Sequence, residues 1–427
     1  MSAPRTLAAA AAIVLAFPSA AFALPLLQAV EQAIDRSPAV IAAAKQTGVY
    51  RARQELASRA GKARLDFDGA AGVQNSNLFG RGNQTQLRRD LGLRMTQRFL
   101  DANRTSNAVD AATLRADAVQ FDVALAADRV AFSVAQAYLT GLRTYTLLNK
   151  LDENLHQHRW LTGIAKERIA KNLLAAPRLT ELEARIAPLE LERADLVQEL
   201  ARSRANLVEL VGDPGLLEKP PALPERLKPS PRDGAPPTDH PAIRRAALLA
   251  DAARKNLEAV RAGVWPTLDG ELGSRALGDA DGLYGLQWDN QALLRLRWNA
   301  FGENVPAQVR EAQDGLDAAL AEAQQAERDV FLQSSESTAL LRALRDKRRI
   351  YAEHERVSAF SLEAGMKYFT QTTRFATDML ALADLMNVRF HAAANVASAD
   401  VDIQLAEFRL LQSRGQLYPT MLEAFKQ

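Results

Sequence analysis

The sequence predicts a mainly α-helical chain with a β-barrel part: long antiparallel coiled-coil helical hairpins and four β-strands per chain, arranged as an internal tandem repeat. Three observations predict it. Segments opening at Pro38 and Pro241, 203 residues apart, share one layout, the hydrophobic period in each switches from helical to two and back, and the helical stretch after each switch is very long.

Before the repeats, Arg5 is followed by an apolar stretch from Leu7 to Phe17 and by Ala21-Phe22-Ala23, which reads as a secretory signal peptide over residues 1–23. The stretch is too short to span a bilayer, and its small residues place cleavage after Ala23, so the chain is expected outside the cytoplasm. The absence of cysteine excludes disulfides, thiolate metal sites and a lipid-acceptor Cys. No later stretch holds about 18 consecutive apolar residues, which excludes a transmembrane helix and leaves a β-barrel open. With 53 basic and 51 acidic side chains the formal charge is only +2, so there is no field of the kind nucleic-acid binding needs. Aromatics make up 6% of the chain, a balance that suits closely packed helices.

The first repeat is expected over 24–212 and the second over 241–417, with residues 418–427 as a C-terminal tail. Ser37-Pro38 and His240-Pro241 open the two copies. Ala-rich helical runs follow from Ala39 to Lys62 and from Ala242 to Gly263, and Leu65-Asp66 is answered by Leu268-Asp269 and Phe99 by Phe301. Nine of the eighteen prolines fall between Pro214 and Pro241, so residues 213–240 read as a connector that neither helix nor inner strand tolerates.

Strict alternation marks the strands. Leu65, Phe67, Gly69, Ala71 and Val73 alternate with Asp66, Asp68, Ala70, Gly72 and Gln74, and Leu91, Leu93 and Met95 alternate with Gly92, Arg94 and Thr96. This predicts a hairpin over about 65–99, with the polar stretch from Asn75 to Gln86 as its exposed loop. A second hairpin is predicted over about 268–301, from Leu268, Gly270 and Leu272 against Asp269 and Glu271, then Leu294, Leu296 and Trp298 against Arg295, Arg297 and Asn299.

Long helical hairpins follow, over about 106–211 and 306–414. Their first arms, Ser106 to Lys171 and Pro306 to Thr370, are each about 65 residues, or ~98 Å at ~1.5 Å per residue. A coiled-coil seam runs through Leu114, Ala118, Phe121, Leu125, Phe132, Ala135, Leu139 and Leu142, interrupted at Asp128. The returning arm carries Leu179, Leu182, Ile186, Leu189, Leu196, Leu200, Leu207 and Leu210, broken at Arg193 and Ser203. Rods of this length outrun a compact domain, so neighbouring subunits are expected to cover part of their surface.

Four strands cannot close into a barrel, since single-chain outer-membrane barrels start at eight, whereas three chains supply twelve. If the apolar series faces lipid, Asp66, Asp68, Asp269 and Glu271 on the first strands of the hairpins and Arg94, Arg98, Arg295 and Arg297 on the second strands line a polar, nearly charge-balanced lumen. The reverse assignment places arginines in hydrocarbon at ~2–4 kcal/mol each near the midplane. Trp265, Trp288 and Trp298, with Tyr284 and Phe301, gather around the second hairpin as an interfacial belt does.

Several short motifs give these segments a family likeness. They are the openings Ser37-Pro38 and His240-Pro241, the strand approach Trp265-Pro266-Thr267-Leu268, and the strand exits Thr96-Gln97-Arg98-Phe99-Leu100-Asp101 and, more loosely, Trp298-Asn299-Ala300-Phe301-Gly302-Glu303. A closing Arg409-Leu410-Leu411 through Gly415-Gln416-Leu417 completes the set. In these and in layout the chain resembles the TolC-like outer-membrane efflux factor family over essentially its whole mature length. The resemblance implies a homotrimer with a twelve-stranded barrel in the outer membrane and a helical tunnel in the periplasm. It further implies a passive exit duct of a tripartite efflux or type I secretion system, served by a periplasmic adaptor and an inner-membrane pump, ABC or proton-driven.

In that family the tips of the helical hairpins hold a gate and the adaptor contacts. The matching stretch here is Leu362-Glu363-Ala364-Gly365, then Thr372-Thr373-Arg374 and Asp378-Met379-Leu380, with Thr372 in place of the family's glycine and Ala381 in place of its second acid. The resemblance makes Asp378 the gate acid, tripled by symmetry, and Arg374 its tether. Lys171, Asn172 and Leu173, ahead of Pro177, and Gly365, Thr372 and Thr373 become the adaptor-contact tips.

No enzyme chemistry is legible, and no cofactor or metal is expected. His156 and His158 lie two apart on a helix and point to different faces, His240, His354 and His391 are isolated, Leu56 and Ala63 spoil a phosphate loop at Gly61-Lys62, and no G-x-S-x-G occurs. The competing reading is a soluble periplasmic coiled-coil scaffold or adaptor, which has no use for two hairpins with lipid-compatible faces.

Overall fold

The computed structural model describes residues 26–78, 82–212, 238–278, 285–298, 305–371 and 375–424. The proposed signal peptide, nearly all of the Pro-rich connector, and Tyr284, Asn299, Phe301 and Glu303 therefore lie outside the described residues.

In order, the elements are α1 (Leu26–Arg36), α2 (Pro38–Arg59), β1 (Arg64–Leu78), β2 (Gly82–Leu100), α3 (Arg104–Ala170), α4 (Pro177–Val211), α5 (Pro241–Ala262), β3 (Thr267–Gly278), β4 (Leu286–Arg297), α6 (Val305–Gln371), α7 (Phe375–Ser413) and α8 (Leu417–Ala424). The series helix, hairpin, long helix, returning helix occurs twice. Pro38, Pro177 and Pro241 sit in the first turns of α2, α4 and α5, where a missing N–H costs nothing and a fixed φ favours the helix. Helices α3 and α6 have 67 residues each, about 100 Å at ~1.5 Å per residue.

The strands form one antiparallel sheet in the order β1-β2-β3-β4, so within the chain β1 and β4 are open edges. Both strands of the first hairpin outrun the expected limits. Residues read as an exposed loop, Asn75 to Leu78 and Gly82 to Gln86, belong to the ladder, from Asn75 opposite Thr85 to Leu78 opposite Gly82. Ladder hydrogen bonds satisfy the backbone whatever the side chains are, so polar residues extend a strand wherever it is free to meet water.

The chain divides into two compact units. One contains residues 134–211 and 347–402, with most of α1. Here Leu161, Ala165 and Leu174 meet Leu182, Phe369, Met379, Leu382, Ala383 and Met386, and further along Leu151 and Leu155 meet Leu189 and Phe390. The leucines of α4 keep heptad spacing, as the seam requires, and its break at Arg193 is an ion pair to Asp152 of α3 at 2.6 Å. Between α3 and α7 lies a buried polar contact: His158 Nε2 donates to Asn387 Oδ1 at 2.8 Å, and Asn154 Nδ2 donates to the same oxygen at 3.1 Å.

The other unit contains residues 34–133, 238–346 and 403–424, including the sheet. Its cores join Leu341 to Ile403, Ala406 and Leu410, and Leu257 to Ala312 and Leu316. Residues 418–424 of the expected terminal tail belong to α8, which buries Leu417 and Met421 completely. The turn into α8 depends on Gly415, held at φ +65 by bonds from Gln416 N to Leu411 O and from Gly415 N to Gln412 O, and a Cβ there would meet Pro241 Cδ at 2.3 Å. At the strand exit, Asp101 accepts the N–H of Thr105 at 2.9 Å, satisfying a donor that the start of α3 leaves without a helical partner.

Candidate functional site

Period-two alternation gives the sheet two faces of opposite chemistry. On one, Leu65, Phe67, Val73, Leu272, Leu294 and Leu296 are 57–75% exposed in the single chain, and Leu91, Leu93, Met95 and Trp288 extend the patch. A contiguous apolar surface of this kind marks contact with a membrane or another protein.

The opposite face is a field of ion pairs. Asp269 of β3 is held by Arg98 of β2 at 3.2 Å and Arg297 of β4 at 2.5 Å. Two residues along β3, Glu271 is held by Arg94 at 3.2 Å and Arg295 at 3.0 Å. The eight residues expected to line a lumen thus fall together on one face, and six of them form these two clusters. Asp66 pairs with Arg64 at 2.6 Å, and the Asp68 carboxylate lies over Gly92, where a Cβ would come within 2.8 Å of it.

A third cluster was missed from sequence: Asp90 of β2 takes two hydrogen bonds from Arg275 of β3, both at 2.5 Å, and one from Arg88 at 2.9 Å. Parity was the available signal, because Arg88 and Asp90 share the even positions of Arg94 and Arg98 once β2 is carried back past Leu91.

At the hairpin tip, α3 ends with Asn172 at φ 55, a bond from Leu173 N to Arg168 O and one from Asn172 N to Ile169 O. Lys171, Asn172 and Leu173 are exposed there, whereas Leu174 turns into the core. Gly365 allows α6 to approach α7, since a Cβ would lie 2.7 Å from Leu385 Cδ1. Thr372, Thr373 and Arg374 lie outside the described residues, and Asp378 is described only as a backbone position in α7.

Away from the sheet, two buried titratable groups line one cavity of about 710 Å³, together with Arg129, Asp329, Glu336 and Arg409. Asp128, the interruption of the seam, accepts the N–H of Tyr418 at the start of α8 at 2.9 Å, and burial pushes its pKa up to about 6 against that bond. His240 caps α5 by accepting the N–H of Ala242 on Nδ1 at 3.0 Å, and burial lowers its pKa. His158 is likewise lowered by burial. Among the described residues no His, Asp or Glu group is arranged to hold a metal ion, and no helix is long and apolar enough to cross a membrane.

This architecture has close structural counterparts. The outer-membrane channel OprN matches with a TM-score of 0.81 at 19% identity, over 92% of this chain and 90% of its own. The fold is that of the TolC-like outer-membrane channels. The outer membrane protein VceC of Vibrio cholerae matches at 0.79 and 16% identity over 92% of this chain and 96% of its own. The open state of the Neisseria gonorrhoeae MtrE outer membrane channel matches at 0.75 and 20% over 92% and 89%. No family model matches the sequence, and no curated protein matches it. The long helices and the four-stranded antiparallel sheet of this chain match the elements from which the TolC-like fold is built.

Proposed function

We propose that this chain is one of three identical subunits of an outer-membrane exit duct, which passively conducts cargo delivered by an inner-membrane pump and a periplasmic adaptor in a tripartite efflux or type I secretion system. One observation carries the reading. The four-stranded sheet has an apolar face fit for lipid, a charged face fit for water and two open edges, and three copies joined edge to edge make a closed wall of twelve strands. Cleavage after Ala23 would deliver the mature chain, with its two repeats and their connector, to the periplasm. The solved structures that share the fold are channels, which favours a conduit over an enzyme.

Membrane fractionation followed by planar-bilayer recording tests this. The expected result is a species that stays with the outer membrane through a carbonate wash, migrates as a trimer until heated, and forms conducting channels. A carbonate-soluble protein without channel activity would favour the periplasmic scaffold instead.

Within the duct, Asp378 with its symmetry copies is proposed as an anionic ring at the constriction, tethered by Arg374. Asp378→Asn is expected to weaken block by divalent cations, and unchanged block removes Asp378 from the constriction. Lys171, Asn172 and Leu173, with Gly365, Thr372 and Thr373, are proposed as adaptor contacts. Cysteine substitution at Leu173 is expected to crosslink to the adaptor in cells, and uniform failure along the tip would place the contact elsewhere.

A further inference from the structure

Acids and bases on the charged face of the sheet nearly balance in number, yet they are not equally accessible. The side chains of Asp90, Glu271 and Asp269 are 3%, 9% and 10% exposed, whereas the six arginines that hold them, Arg88, Arg94, Arg98, Arg275, Arg295 and Arg297, are 31–65% exposed. Each carboxylate therefore lies at the floor of the face beneath two guanidiniums. One negative charge fixes two positive ones side by side, and the solution meets the positive ones.

A guanidinium carries five N–H donors, and here one or two go to the buried acid, so the planar fork is oriented and the outward edge is left to meet a solute. The remaining acids of this face sit on the edge strands: Asp66 bound to Arg64, Asp68 over Gly92, and Asp289 opposite Arg275 in the register. Strands β2 and β3, with Arg295 and Arg297 of β4 beside them, present arginine.

We propose that this face is an anion-binding lining: paired guanidiniums, each pair anchored by a buried carboxylate, recognise phosphate- or carboxylate-bearing solutes, so that the barrel favours anionic cargo. The proposal rests on the reading of the charged face as a pore wall. Rings of arginine or lysine are how pores select anions and phosphates, and two guanidiniums held together match the charge and the acceptor spacing of a polyanion better than one mobile lysine does.

The test is recording from the purified full-length protein in planar bilayers, with inorganic tripolyphosphate as the probe. The wild type is expected to be blocked by tripolyphosphate added to the barrel side, a readout that the anionic ring proposed at the constriction does not set. Arg94→Gln/Arg295→Gln is expected to raise the half-blocking concentration about tenfold, roughly what losing one hydrogen bond to a charged group amounts to. Glu271→Gln removes the buried anion while keeping both arginines, so it moves block the other way, to lower concentration, and it decides the matter if the double variant does not assemble. Channels whose tripolyphosphate block responds to neither substitution overturn this proposal and leave the duct intact. A protein that forms no channel overturns the duct and this lining with it.

Discussion

Asp128→Asn isolates the energetic role of the one charged residue in the α3 seam. Asp128 is 5% exposed, and its Oδ1 accepts the Tyr418 N–H at 2.9 Å, so the side chain ties α3 to the start of α8. Burial raises its pKa from 3.8 to about 6. The folded protein therefore holds this proton more tightly than the unfolded chain does. The stability that the protonated form contributes is complete below about pH 4 and is lost as pH rises through about 6. Two pKa units correspond to about 3 kcal/mol of cost at pH 8. Asparagine keeps the acceptor and removes the charge, but its amide N–H group needs a partner of its own, at about 1–2 kcal/mol, leaving a net gain of about 1–2 kcal/mol. The assay is the urea midpoint of the detergent-solubilised protein between pH 4 and 8, followed by far-ultraviolet circular dichroism. The variant is expected to exceed the wild type at pH 8 and to lose that advantage by pH 4. A variant that parallels the wild type at every pH, or falls below it at pH 8, refutes the burial of an ionised carboxylate at this seam.

His240 responds in the opposite sense: its lowered pKa means that stability is full above about pH 6.5 and declines as pH falls below it, so His240→Asn, which retains a capping acceptor, should flatten the decline in midpoint between pH 6.5 and 5. Gly415→Ala combines a left-handed φ with a Cβ 2.3 Å from Pro241 Cδ, and a loss of about 2–5 kcal/mol is expected in the same urea titration, against a gain of about 0.5–1 kcal/mol for Gly48→Ala, an exposed position inside α2 where a Cβ meets nothing within 4 Å and alanine favours the helix. Asn387→Leu strands the buried His158 and Asn154 donors at about 1–3 kcal/mol each, whereas Asn387→Asp keeps the acceptor and should lose clearly less; equal losses would show that volume rather than hydrogen bonding matters there.

Much of the fold is legible because it is periodic. Leu182, Leu189 and Leu196 announce a seam by spacing alone, and Leu65 to Val73 announce a two-faced strand. What stays hidden is whatever depends on a partner distant in sequence. Asp90 looks like a loop-flanking polar residue until β3 brings Arg275 beside it, 185 positions away. Residues 418–424 look like a tail, because the cost of ordering them is met only by the apolar floor that receives Leu417 and Met421 and by the Asp128 carboxylate. The shared face of the eight charged residues was legible by parity, but their relative depth was not: Asp269 and Glu271 lie beneath their arginines only because guanidinium stems are long enough to arch over a carboxylate on the next strand.

The same distinction accounts for a fold shared with OprN and MtrE at 19% and 20% identity in a sequence that no family model matches. A seam of small and branched apolar residues tolerates extensive exchange as long as volume and spacing are kept, so most positions along α3, α4, α6 and α7 carry pattern rather than identity. Identity is demanded where geometry leaves one solution. Pro38 and Pro241 start helices at fixed φ, Gly415 turns through a left-handed conformation against Pro241, and Asp101 supplies an acceptor at the start of α3. These positions coincide with the short motifs through which the chain resembles the TolC-like family, and they are too few and too dispersed to raise overall identity. The resemblance in sequence is faint because the constraint is local at a handful of joints and merely rhythmic between them.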